Sequence, residues 1–406
     1  MGSFQPSSFF EDGVYVPPDP IFEVTKNYLA DQDPKKVNLG QGAYRDENGQ
    51  PWVLPCVRLA KQALKDQGHE YLPIAGLPTL RQKAVELVFE RSKALAEGRI
   101  ASCQSLSGTG AIHLTGLALR RANPAARTVY ITDPTWSNHR LLFSNLGYEV
   151  QDLPYYRDGG FDYDGYIAGL REAEPNSIVV LHACAHNPTG YDPSKEQWKE
   201  IISVINEKQI FPVIDAAYLG FNSGSVDDDA WVIRYIVDEL NLEAAVSLSF
   251  AKNMGLYGER VGLVALVAKT PELAVVMDSI LANMQRATIS SPPVYGARIA
   301  ATVLGTPEFK AQWASDLKVM SGRIRSMREK LYDELLRLQT PGDWSFIVKQ
   351  SGMFGYTGLN TNQIKYLQDE HHIYMADTGR ISIAGLNDNN VGHFAAAVDK
   401  AVRYRH

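Results

Sequence analysis

Lys252 follows a short apolar run, Ala244-Ala245-Val246-Ser247-Leu248-Ser249-Phe250-Ala251, and a second apolar run begins soon afterwards at Val261. Two such runs read as buried strands, and the glycine-bearing piece between them reads as their connection. A lysine held between buried elements loses solvation. This favours the neutral, nucleophilic amine that forms a Schiff base with an aldehyde. Taken alone, Lys252 reads first as a solvated loop lysine, so its neighbours decide. Asp215 closes the apolar run 211–214; a carboxylate buried there stays ionised only against a cation, and otherwise serves as a helix cap. Ser107-Gly108-Thr109-Gly110 opens a helical stretch whose free N–H groups suit a phosphate, though such starts are often only caps. Trp136 offers a face for a flat ring, or a core side chain. Arg380, between Gly379 and an apolar strand, suits bidentate binding of a carboxylate, or is an ordinary strand-edge arginine.

The elements that must position these groups alternate. Strands over 128–132, 177–182 and 211–214 each end in polar residues, and helical patterns lie between them. The alternation predicts an α/β fold with a mainly parallel sheet between helices, where ligand-contacting groups collect at the carboxyl ends of strands. Trp136, Asn187, Asp215 with Tyr218, and Lys252 are therefore expected to converge. Helices are expected over 21–30, 55–66, 78–97, 112–121 and 271–286, and a long one over 307–338 crosses between domains. Residues 37–45 read as a short strand entering a glycine-bearing loop. From Gly342 a smaller α/β unit follows, with strands over 353–357, 373–375 and 380–385. Residues 1–20 read as an extended arm that packs on a neighbour or frays. Desolvated amine, anion cradle, buried carboxylate and stacking face together form the layout expected for pyridoxal phosphate.

Composition bounds the alternatives. A 406-residue chain with 45% hydrophobic and 21% charged residues supports more than one domain. Net charge −6 without a basic block argues against nucleic-acid binding. Three cysteines cannot all pair and form no C-x-x-C, which suits a reducing compartment. No apolar run reaches membrane-spanning length, and residues 1–20 resemble no signal or transit peptide, so a cytoplasmic location is expected. Gly40-x-Gly42 fails as a dinucleotide motif because Arg45 takes the third glycine position. His182 and His186 lack the glutamate of a zinc helix and precede Asn-Pro, so no metal is expected there and both read as supporting hydrogen-bonders.

Ser107-Gly108-Thr109-Gly110-Ala111, Pro134-Thr135-Trp136, His182 to Gly190, Ser249 to Asn253, Gly255 to Gly262 and Gly379 to Gly385 closely resemble the aspartate aminotransferases of fold type I. The match runs in order over nearly the whole chain. The resemblance implies a large domain (49–319) with a mainly parallel seven-stranded sheet, a small domain (16–48 and 320–406), and an arm (1–15) on the partner subunit of a homodimer. It implies reversible amino transfer from L-aspartate to 2-oxoglutarate by a ping-pong route. Lys252 would carry pyridoxal phosphate as a Schiff base and shuttle the proton. Asp215, backed by His139, would hold the ring nitrogen protonated. Tyr218 and Asn187 would bond the phenolic oxygen, and Trp136 would stack on the ring. Ser107, Gly108, Thr109, Ser249, Arg260 and the partner's Tyr71 would hold the phosphate. Arg380 would grip the α-carboxylate and the partner's Arg286 the distal one, with Gly42, Phe354 and Gln41 on the substrate side and His186 in support. Three positions depart from the family pattern: Gln41 for an aliphatic residue, Ala251 for serine, and Ser291 for asparagine before Pro-Pro. Gln41 beside the substrate leaves open a diverged enzyme of specialised metabolism running aromatic transamination, lyase, substitution or condensation chemistry. A catalytically silent scaffold is opposed by intact Lys252, Asp215 and Arg260.

Overall fold

The structure is a computed structural model and describes residues 8–403. The first seven residues of the expected arm lie outside that range. Phe9 to Val16 are highly exposed, so what is described of the arm buries its apolar side chains on nothing in this chain.

The strands, in chain order, are β1 (Val37–Asn38), β2 (Ile100–Leu106), β3 (Thr128–Asp133), β4 (Glu149–Pro154), β5 (Tyr156–Arg157), β6 (Gly160–Phe161), β7 (Ile178–His182), β8 (Phe211–Ala216), β9 (Ala244–Ser249), β10 (Val261–Val267), β11 (Phe354–Tyr356), β12 (Ile373–Tyr374) and β13 (Arg380–Ser382). Seven of them form one sheet in the order β2-β10-β9-β8-β7-β3-β4. From β9 to β4 all pairings are parallel, whereas β10 runs antiparallel to both neighbours. β8, β9 and β10 are buried throughout except for Phe211, as expected of strands covered by helices on both faces.

Register sets the site. His182 pairs with Asp215, and Asp215 with Ser247, so these side chains end at one level. Gly262 stands between Ser249 and Ser105. A Cβ at Gly262 would lie 2.6 Å from the Leu248 carbonyl and 2.7 Å from the Ser107 backbone, so a side chain there would force the β9–β10 turn away from Ser107.

Three expectations are corrected. The helix expected over 78–97 is two, Pro78–Phe89 and Lys93–Ala96. Arg91 takes φ +75° between them, and the Ser92 hydroxyl accepts from Leu95 N at 3.0 Å to start the second. The helix expected at 112–121 begins at Ser107, putting Ser107-Gly108-Thr109 in its first turn. Strand β2 had no apolar signature because it is built from Ala, Ser, Cys and Gln; its buried Gln104 is satisfied instead by Pro293 O at 2.8 Å, and Gln285 donates to its carbonyl at 2.6 Å.

The small pieces near the chain ends pair with each other: β1 runs parallel to β12, and β11 antiparallel to β13. The helix Pro307–Arg337 joins them to the sheet. Near its start Trp313 Nε1 donates to Asn253 O at 2.6 Å. Farther along, Arg323 donates to the carbonyls of Arg45 and Leu386. Among the described residues no helix is long and apolar enough to cross a membrane.

Candidate active site

A cavity of about 160 Å³ opens at the carboxyl ends of β7, β8 and β9. Trp136, Asn187, Asp215, Tyr218 and Lys252 all line it, as do Gly42, Ser107, Gly108, Thr109, Ser249 and Arg260. The convergence expected from strand-end positions is therefore present.

Lys252 follows β9 in a turn whose backbone closes from Gly255 N to Lys252 O. Its ammonium stands 5.0 Å from the centre of the Tyr218 ring. Burial lowers its pKa, the Arg260 and Arg380 charges lower it further, and Asp215 opposes them. The amine thus loses its proton more readily than a free lysine.

Asp215 is 9% exposed. Burial works to raise its pKa, but the His139 hydrogen bond, helped by the charges of His139 and Lys252, outweighs burial and leaves it lowered. His139 Nε2 lies 3.0 Å from Asp215 Oδ2, and its Nδ1 lies 2.8 Å from Thr135 Oγ1. An acceptor-only carboxylate fixes the proton on Nε2. His182, half-buried at the cavity wall and near His139, has its pKa pushed down to about 3 by desolvation, and its Nδ1 accepts from Asn187 N. His139, His182 and Asp215 bring ligand-capable atoms within 4.8 Å of one another, yet these contacts already join them to Thr135 and Asn187. His186 sits behind, between Thr132 Oγ1 and Thr189 Oγ1, stacked on Tyr155 at 3.9 Å.

Opposite Lys252 the helix Ser107–Ala122 presents a first turn with no side-chain cap. Ser107 and Ser249 hydroxyls meet at 2.8 Å. Arg260, at φ +53°, donates Nη1 to Tyr257 O at 2.9 Å, and its other N–H groups have no acceptor among the described residues. A Cβ on Gly108 would stand 3.4 Å from Ser249 Cβ. Uncapped N–H groups, two hydroxyls and a guanidinium form a donor set that fits a phosphate dianion. The buried Asp215 supplies the anion a pyridinium requires, so the residues fit pyridoxal phosphate.

The remaining expected residues sit elsewhere. Arg380 and Phe354 do not line the enclosed cavity; they pack against it through Gly42. A Cβ on Gly42 would lie 3.1 Å from Phe354 Cζ, and the Arg380 guanidinium covers the Phe354 ring at 4.3 Å. Arg380 Nη2 donates to Gly40 O at 2.7 Å, while its buried Nε has no partner among the described residues. Gln41, expected beside the substrate, lines a different cavity and accepts from Arg45 Nη2 at 2.9 Å. The reason is alternation: Gly42 faces the Lys252 side, and Gln41 and Ala43 face away. Tyr71 (85% exposed) and Arg286 lie outside the cavity, Arg286 bonded to Ser290. Ser291 Oγ ties their segments together through Leu72 O at 2.9 Å.

The model of aminotransferase class I and II matches residues 34–398. The chain belongs to this aminotransferase family. It is 46% identical to the cytoplasmic aspartate aminotransferase of Schizosaccharomyces pombe over 95% of this chain and 96% of that one. The cytoplasmic aspartate aminotransferase structure from Saccharomyces cerevisiae superposes with TM-score 0.95 at 42% identity, covering 99% of this chain and all of that one. An aromatic-amino-acid aminotransferase from Burkholderia pseudomallei, with pyridoxal phosphate covalently bound, superposes with TM-score 0.93 at 40% identity, covering 97% and 100%. The family and that bound relative support pyridoxal phosphate as the cofactor of this aminotransferase.

Sequence reasoning passed over four residues that shape the site. Tyr257 lies within a quoted motif, and its hydroxyl accepts from Tyr44 N at 2.9 Å, pinning the Gly42 loop. Cys184 lines the cavity with its thiol pushed well up by burial. Arg323 and Arg328 belong to the helix expected over 307–338, with no sequence signal of their own. Arg328 is 3% exposed and donates to the carbonyls of Ile347, Ser351, Gly352 and Phe354, holding Phe354 in place. Only the fold reveals a cation serving backbone carbonyls far away in sequence.

Proposed function

We propose that this aminotransferase transfers the amino group of L-aspartate to 2-oxoglutarate, giving oxaloacetate and L-glutamate, in the cytoplasm and as a homodimer. The observation that carries the reading is a desolvated lysine amine beside a buried ionised carboxylate, with a half-satisfied arginine, Arg380, beyond the Gly42 loop. The aspartate-specific names of relatives at this identity support the choice of substrate.

Pyridoxal phosphate, when bound, supplies an aldehyde for an amine and a ring that accepts the electron pair left on the amino acid's Cα. Ser107, Gly108, Thr109, Ser249 and Arg260 are the donors for its phosphate, joined by Tyr71 of the partner subunit. Asp215 holds a proton on the ring nitrogen, and His139 keeps that carboxylate ionised and oriented. Trp136 would stack on the ring, and Asn187 and Tyr218 would bond its phenolic oxygen; all three line the cavity. Lys252 Nζ would hold the cofactor's aldehyde, and its readily deprotonated amine is the base placed to move the proton of the amino acid's Cα. Arg380 receives the α-carboxylate, with its unpartnered Nε available for a second bond. Arg286 of the partner subunit reads the distal carboxylate. Residues 16–48 and 320–406 form the small domain that brings Arg380 and Phe354 to the large one, 49–319.

The test is transfer itself. With L-aspartate and 2-oxoglutarate the expected product is glutamate carrying the aspartate nitrogen, followed with a 15N label. Intact cofactor absorbance without labelled glutamate would overturn the assignment and favour a diverged reaction. The superposition on an aromatic-amino-acid aminotransferase at 40% identity favours a second activity on phenylalanine or tyrosine. Competition between phenylalanine and aspartate for 2-oxoglutarate measures it.

A further inference from the structure

A second cavity, of about 780 Å³, lies on the other side of the loop whose Gly42 lines the Lys252 cavity. Its volume is that of an ordinary small-molecule site. The lining carries Lys35, Lys36, Arg45 and His393, and no aspartate or glutamate, although the chain is acidic overall.

Three of its seven side-chain amides are oriented by their oxygen partners. Asn38 Oδ1 accepts from Gly40 N at 3.0 Å, Gln41 Oε1 from Arg45 Nη2 at 2.9 Å, and Asn387 Oδ1 from Asn389 N at 2.9 Å. Each of those partners is a donor, so none of the three amides can be turned round without facing donor to donor. Their three NH₂ groups have no acceptor among the described residues. Lys36 Nζ donates to the neutral carbonyls of Tyr28 and Asp31 and lies 4.6 Å from the centre of the Tyr28 ring, without a carboxylate partner among the described residues. Carboxylates beside the lining are engaged elsewhere: Asp46 accepts from Asn48 N and Gln50 N, Asp31 from Tyr374 and His372, Asp33 from Lys35 N, and Asp388 pairs with Lys330. The cavity therefore offers three NH₂ donors without acceptors among the described residues and the charges of Lys35, Lys36 and Arg45, and its lining holds no carboxylate.

We propose that this cavity is a second binding site, for a small polyoxyanion such as a phosphate ester or polycarboxylate, distinct from the catalytic site and in contact with its loop. Gln41 and Arg45 are both wall residues and part of the Gly40–Arg45 segment, whose Gly40 carbonyl Arg380 holds. A ligand that draws in the Gln41 amide or the Arg45 guanidinium therefore acts on the segment that carries Gly42. The inference rests on donor accounting in this cavity and does not need the aspartate reading.

Calorimetric titration of the holoenzyme with glucose 6-phosphate and, separately, citrate tests it, with succinate present to occupy the Lys252 cavity. Saturable binding of either probe is expected, and which one binds identifies the oxyanion. Lys35→Glu and Asn387→Asp should each weaken that binding at least about tenfold, since a like charge then faces the ligand. Asn387→Asp retains the oxygens that accept from the turn, so its fold and its basal turnover should persist. Absence of binding by both probes, displacement by succinate, or binding unchanged in both variants would overturn the proposal. Probe binding in a protein that makes no glutamate would sink the aspartate assignment alone.

Discussion

The two walls of the candidate site are built differently. One comes from strand ends of a single sheet: Asn187, Asp215, Ser249 and Lys252 are set by the register of β7, β8 and β9, and histidines behind them fix the polar atoms. The other, with Gly42, Phe354 and Arg380, comes from strands two or three residues long, held in place by single arginines. The first wall is rigid because displacing one residue displaces a strand. The second is held by side-chain packing against the helix Pro307–Arg337 and by a few arginine hydrogen bonds rather than by the seven-stranded sheet. A rigid wall suits a group that must keep its orientation through both half-reactions. One held by side chains suits substrates that come and go.

Changes to the first wall should break chemistry. Lys252→Arg keeps the charge but not a readily deprotonated amine, and turnover should fall roughly ten-thousand-fold, the upper range for losing an acid–base group. Cofactor retention measured on the same protein separates this from loss of the fold. Changes to the second wall should act on substrate. Arg380→Leu should lower kcat/KM by roughly 3 kcal/mol, as for a truncated charge pair, mainly through KM. Arg328→Met leaves four or more buried carbonyls without a donor and should cost about 3 kcal/mol of stability in denaturant unfolding, with KM rising as Phe354 loosens. Gly42→Ala brings a methyl 3.1 Å from Phe354 Cζ and should raise KM by about fivefold at nearly constant kcat, about 1 kcal/mol of crowding.

Acid should distinguish the walls as well. His182 has a folded pKa of about 3, and His186 is likewise held well below its ordinary value, so the unfolded chain binds more protons once pH falls below about 6.5. Stability from keeping these rings neutral is full above that pH and is lost progressively towards pH 3. The lowered Asp215 adds a loss at the acid end, below the ordinary carboxylate range, as it takes up its proton. Melting temperature against pH should therefore decline first through the sheet side, and His182→Asn should flatten the upper part of that decline. An unchanged profile would show that the histidines are not held neutral.

The sequence alone determined the groups that follow strands, because an apolar run ending in a polar residue is a local signal: Lys252 after β9, Asp215 within β8, Asn187 after β7. It also pointed to Ser107-Gly108-Thr109 as an open helix start suited to a phosphate, although the helix begins at Ser107 rather than Ile112. It did not show β2, whose buried Gln104 and Ser105 carry no apolar signature, nor the break at Arg91. Tertiary structure alone decided that Gln41 faces away from Lys252, that Arg328 is buried, and that three amides share a cavity without a carboxylate. These follow from which strand pairs with which, and from which carbonyls a distant guanidinium can reach. Such contacts join residues far apart in the chain, where no local pattern records them.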